Sequence, residues 1–186
     1  MSLKIFLLLL LATFLSVLSV HAGDQLALYS VGEKDQSSWN ILKKFFDGKG
    51  YNVNVYEKAD NLEKHLENAN RINRTGASLM LVMDFRVGDK NELFAAITNA
   101  KKGKGKILSI EEVPGQYVDA SAEVAGCVAT AFRKTVKELP LFPLLGVDMP
   151  ALFLRIECTK EKADETLNVV SDCLQKYFQR GKKNEG

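Results

Sequence analysis

The chain has 186 residues, with 25 Lys and Arg against 23 Asp and Glu and a formal net charge of +2. That length suits one domain, on the usual range of roughly 100–200 residues, and such a domain can bury a sizeable core unaided. The near-balance of charge gives no reason to expect a nucleic acid partner, and with only two histidines imidazole chemistry is scarce.

The chain starts MSLKIFLLLLLATFLSVLSVHAG. Lys4 is a short basic region, Ile5 to Val20 an apolar stretch, and Val20-His21-Ala22 a small-x-small cleavage signal. This is the pattern of a secretory signal peptide. Residues 1–22 are therefore expected to be a leader and 23–186 the mature domain, located outside the cytoplasm (periplasmic or secreted). The apolar stretch is shorter than the ~20 residues a spanning helix needs, so no stable membrane anchor is expected after cleavage. His65 is then the one histidine of the mature chain.

Gln25 to Val31 predicts a short strand. Ser37 or Ser38 can cap a helix with Trp39, Leu42, Phe45 and Phe46 on one face, stopped by Gly48 and Gly50. Tyr51 to Tyr56 alternates like a half-buried strand. Asp60 caps a second helix running to about Asn73. Ser78 to Phe85 is a nearly unbroken apolar run, as in a strand covered on both faces. Leu93, Phe94 and Ile97 predict a short helix over 91–100. Lys101 to Lys106 reads as a solvated turn, with contact to an anionic polymer as the alternative. Ile107 to Val113 predicts a strand, and Ala120 to Leu139 a long helix. Residues 139–150 hold three of the four prolines and predict an extended crossing. Ala151 to Cys158 predicts another buried strand, and Glu161 to Gln179 the closing helix; its basic end, from Lys176 to Lys183, reads as solvated. Strands alternating with helices predict a single α/β domain with a mainly parallel central sheet and helices on both faces.

Three cysteines remain, Cys127, Cys158 and Cys173. Their apolar neighbours suggest buried free thiols; export would also allow a Cys158–Cys173 or Cys127–Cys173 bridge. No CxxC pair is present. Asn73-Arg74-Thr75 matches a glycosylation acceptor.

Ligands of open α/β sheets bind beyond the carboxyl ends of the strands, which directs attention to residues 30–35, 84–89 and 155–158. Several segments there and nearby form a recognisable series. From Leu42 the chain reads L-x-x-F-F-x-x-x-G-Y-x-V-x-V-Y, then LEKHLENAN, then GASLMLVMDF, and later Met149-Pro150-Ala151-Leu152-Phe153-Leu154. The series resembles the zinc-dependent N-acetylmuramoyl-L-alanine amidases, which cut peptidoglycan between glycan and stem peptide. The resemblance implies an amidase-like fold over 23–186 and places the family's site residues. The first zinc histidine would follow strand one, where Tyr29-Ser30-Val31-Gly32-Glu33 has none. The second would end the central strand, where Asp84 stands. The catalytic glutamate would fall five residues after the proline, at Arg155. The zinc glutamate opens the first helix, near Glu33 or Asp35, although the spacing back from Gly50 suits neither well. His65 falls on a helix away from the metal and is expected to be exposed or half-buried.

A catalytic zinc usually takes three protein ligands and leaves one position for water. Glu33 and Asp84 alone would form a hard oxygen site suited to calcium or magnesium, and a nearby Arg155 would repel any cation. The expectation is that Arg155 replaces the metal's charge and pairs with Asp84. Asp84 capping a loop, or binding a metal with Glu33, are the alternatives. Glu157 shares Arg155's sheet face and is either a salt-bridge partner or a shifted catalytic glutamate. Glu33, Asp84 and Arg155 are the expected substrate-binding residues; Glu157 and Arg155 are the catalytic candidates. The resemblance thus implies an exported amidase-like protein without a cofactor, which binds peptidoglycan fragments or regulates envelope enzymes. One alternative is a working zinc amidase using Glu33, Asp84 and Glu157. The other is an unrelated secreted α/β binding module.

Overall fold

Leu79 to Phe85 is buried at every position, as its nearly unbroken apolar sequence dictates. In the computed structural model, which describes residues 24–32 and 36–184, this run is the heart of a six-stranded sheet. The elements in chain order are β1 (Gln25–Ser30), α1 (Gln36–Gly48), β2 (Asn52–Glu57), α2 (Leu62–Asn73), β3 (Leu79–Val87), β4 (Glu92–Thr98), α3 (Val118–Ala131), β5 (Val136–Leu139), β6 (Ala151–Cys158) and α4 (Ala163–Asn184). The strand order is β2-β1-β3-β6-β4-β5. β2, β1, β3 and β6 are mutually parallel, β4 runs antiparallel to β6, and β5 is parallel to β4.

Alternation along β3 divides the core. Leu79, Leu81, Met83 and Phe85 face α1, α3 and α4, where they meet Leu42, Phe46, Val124, Val128, Leu167, Val170, Leu174 and Phe178. Met80 and Val82 face α2 and the crossing segment, where they meet Ala69, Ile72, Leu144, Val147 and Met149. Each fully buried Leu, Val or Phe contributes roughly 1.5–3 kcal/mol, so both faces of the sheet are strongly covered. The single α/β domain with a mainly parallel sheet and helices on both faces is as expected. Among the described residues, no helix is long and apolar enough to cross a membrane. The expected leader lies outside the described residues.

Three elements differ from the sequence reading. The segment read as a helix over 91–100 is strand β4, with Leu93, Ala95 and Ile97 toward the larger core. The strand expected over 107–113 is a turn instead: the Glu112 carboxylate accepts the Ser109 N–H at 3.0 Å, and Ile107 is 92% exposed. The helix expected to reach Leu139 ends at Ala131. Arg133 then takes a left-handed φ of 55°, and the chain enters β5 beside β4.

Two caps also differ. Asn61, not Asp60, caps α2, accepting the Lys64 N–H at 2.8 Å. Ser38 lies inside α1, and its hydroxyl accepts the Val87 N–H at 2.9 Å, tying this helix to the end of β3. The cysteines are not three free thiols. Cys127 of α3 and Cys173 of α4 are bonded, and Cys158 is free and buried. Asn73 is held from both ends of its amide: Nδ2 donates to Gly146 O at 2.8 Å, and Oδ1 accepts the Asp148 N–H at 2.9 Å.

Candidate functional site

Parallel pairing places Asp84 of β3 directly beside Arg155 of β6. Both stand near the carboxyl ends of their strands, on the face covered by α2 and the crossing segment. Asp84 is 3% exposed. A buried carboxylate needs charge partners and donors, and it has two. Arg155 Nε donates to Oδ2 at 2.8 Å, and Arg86 Nε donates to Oδ1 at 2.9 Å. Arg86 also reaches Oδ2 through a terminal nitrogen at 3.3 Å. The expected Asp84–Arg155 pair is therefore formed, with Arg86 as a second cation. Removing either arginine leaves Asp84 one partner. Removing both would strand a buried charge, a loss of about 3–5 kcal/mol.

Gly32 is the reason the carboxylate can sit so close to the end of β1. A Cβ at Gly32 would lie 2.6 Å from Asp84 Oδ1. The loop after β1 thus needs a glycine for close approach to a carboxylate.

Beside this cluster is a cleft of about 400 Å³. Tyr29, Val31, Asp84, Phe153 and Arg155 come from the sheet and its edge, Lys58 and Asp60 from the turn after β2, and Phe142 and Pro143 from the crossing segment. The Arg155 guanidinium lies 5.9 Å from the centre of the Phe153 ring, close enough for a cation–π contact. Phe142 is 42% exposed on the opposite wall. Its ring centre lies 4.7 Å from that of His65.

His65 is fully buried, which corrects the expectation of an exposed or half-buried helix residue. Its Nε2 donates to Leu145 O at 2.9 Å, because a carbonyl only accepts. Nδ1 is then the acceptor, facing the Tyr29 hydroxyl at 3.4 Å, and that hydroxyl accepts the Ala59 N–H at 3.1 Å. Burial pulls the imidazole pKa below its ordinary value, and the Leu145 bond only partly opposes this. His65 therefore acts on the cleft at one remove: it fixes the segment that carries Phe142 and Pro143.

Of the other residues singled out in the sequence, Glu33 lies outside the described residues. Glu157 is paired in register with Arg86 and Glu92. It is not among the residues lining the cleft, and its carboxylate packs against Gly88. It forms no ion pair with a described residue. Tyr29, Lys58, His65 and Phe142 are members of the site or its support that the sequence reading missed. The signal available for Phe142 was its place beside Pro143 in a segment that must cross the sheet.

Among the described residues the donor set does not fit zinc. Both oxygens of Asp84 accept from guanidinium groups, and both nitrogens of His65 are turned into the core. No group of three His, Cys, Asp or Glu among the described residues is placed to hold a metal ion. What the arrangement can do is present positive charge beside aromatic walls.

No family model matches the sequence, and no curated protein matches it. Solved structures do resemble the fold. The chain is similar to the catalytic domain of an endolysin targeting Clostridia difficile, with a TM-score of 0.55 and 11% identity over 82% of this chain and 97% of that one. It is similar to the N-acetylmuramoyl-L-alanine amidase from Clostridium difficile 630, with a TM-score of 0.53 and 13% identity over 85% and 98%. Against the N-acetylmuramyl-L-alanine amidase Ami1 from Mycobacterium smegmatis the TM-score is 0.54 and the identity 5%, over 86% and 99%. At such identities the likeness is one of architecture: the chain has an amidase-like α/β fold.

Proposed function

We propose that this chain is an exported, non-catalytic protein of amidase-like fold that binds peptidoglycan fragments, or that regulates envelope enzymes through such binding. The observation that carries this reading is the Arg86–Asp84–Arg155 cluster at the carboxyl edge of the sheet. By the resemblance, Asp84 would stand at the position of a zinc histidine and Arg155 at that of the catalytic glutamate. A guanidinium cannot serve as a general base, since it stays protonated, and two of them repel a metal cation. The names of the structural neighbours supply the ligand class, a muramoyl group joined to L-alanine through an amide. The apolar leader supports export. The Cys127–Cys173 bond agrees with it, because disulfides persist in oxidising compartments.

The test is co-sedimentation of the mature chain with purified peptidoglycan. The wild-type protein is expected in the pellet, and Arg155→Glu is expected to lose most of that binding. Wild-type protein that stays in the supernatant at low and moderate salt would overturn the reading.

A further inference from the structure

We infer that the cleft is a carboxylate-binding site, with Arg155 as its fork, and that its ligand is the free acid of a muramoyl sugar rather than the amide. This rests on the peptidoglycan reading above and adds the chemical state of the ligand. Asp84 is buried, and its two oxygens already accept from Arg155 and Arg86, whereas the Arg155 side chain is exposed. On the facing wall Lys58 and Asp60 offset one another. The charge that this part of the cleft offers to a ligand is therefore the Arg155 cation.

Arg155 uses only Nε on Asp84. Its two terminal nitrogens have no partner among the described residues, and its side chain is 60% exposed. A guanidinium edge with both terminal groups available matches the two oxygens of a carboxylate. An amide fits that edge poorly. It offers one oxygen, and its N–H would stand against a donor that cannot accept.

Phe153 lies beneath the guanidinium and Phe142 forms the other wall. The two rings offer apolar faces to the body of a ligand whose acid group reaches Arg155. Asp84 and Arg86 then act as positioning residues, holding the Nε side so that the terminal nitrogens point away from β3.

This places the protein in a reaction sequence. Hydrolysis of the amide in N-acetylmuramoyl-L-alanine adds water across the C–N bond. The muramoyl carbonyl becomes a carboxylate, and the alanine nitrogen becomes an amine. A cleft that prefers the acid recognises glycan from which the peptide has been removed. The class of reaction that supplies its ligand is therefore amide hydrolysis by another enzyme.

The experiment is calorimetric titration of the mature chain with N-acetylmuramic acid and with its neutral methylamide. The acid is expected to bind at least about tenfold tighter, because a charge-assisted bidentate pair is lost in the amide. Arg155→Gln is expected to remove that preference, so that acid and methylamide bind alike. Its melting temperature should stay close to wild type, since Arg86 still pairs with Asp84. Equal affinity for acid and amide, or a preference that survives Arg155→Gln, would overturn the inference. If neither compound binds but peptidoglycan still co-sediments with the protein, the carboxylate site is wrong and the peptidoglycan reading stands. If co-sedimentation fails as well, both fall.

Discussion

His65 has no exposed surface, and each ring nitrogen has a partner that suits the neutral imidazole. Protonation would put a charge in the core and turn Nδ1 into a donor. The Tyr29 oxygen already accepts from Ala59, so its own hydrogen would lose its acceptor. The consequence for stability has a definite sign. The folded-state pKa lies below the ordinary 6.5, so the unfolded chain binds the proton more readily. Stability is full above 6.5, falls as the pH drops through the window below it, and reaches its lower level once the pH is under the folded-state pKa. Thermal melts should therefore show a fall in melting temperature between pH 7 and pH 5.5, read above the range where most carboxylates titrate. His65→Gln should flatten that slope. An unchanged slope in the variant would assign the pH dependence to other groups.

The Cys127–Cys173 bond joins α3 to α4 across a sequence separation of 46 residues. Closing a loop of that size in the unfolded chain is worth about 4 kcal/mol in the chain-entropy account. Reduction, or Cys127→Ser, should lower the melting temperature by about 10 °C. No shift on full reduction would contradict this role. Cys158 should react slowly with an alkylating reagent, since burial raises its thiol pKa. Sequence could not choose among the pairings, because each cysteine has apolar neighbours and the distance between α3 and α4 is a tertiary fact. The same limit explains β4. Leu93, Phe94 and Ile97 suit a helix face, but Leu93, Ala95 and Ile97 suit a strand equally well, and a short apolar run fits both periods. Pairing on both sides, with β6 and β5, decides the matter. The end of α3 was hidden too, since Arg133 carries no glycine signal for its left-handed turn.

At the level of the whole molecule, the parallel strands β1, β3 and β6 bring the end of β1, Asp84 and Arg155 to one edge, where open α/β sheets hold ligands. That much was legible: β3 and β6 are unbroken apolar runs whose polar residues near the carboxyl end stand out. The Asp84–Arg155 pair follows from their register. The walls were not legible. Lys58 and Phe142 come from connections whose paths depend on Asn73, Gly146 and His65 meeting across the smaller core. Arg86 was passed over because an exposed strand-end arginine gives no signal until its partner is known. The result is an amidase-like scaffold with a buried carboxylate clamped by two arginines at the carboxyl edge of its sheet. The most direct measurement is digestion of purified peptidoglycan with the mature chain, with and without added zinc, while released stem peptides and bound metal are quantified. The account predicts no stem peptide released under either condition and no stoichiometric zinc. Stem peptide released by protein carrying one zinc per chain would contradict it.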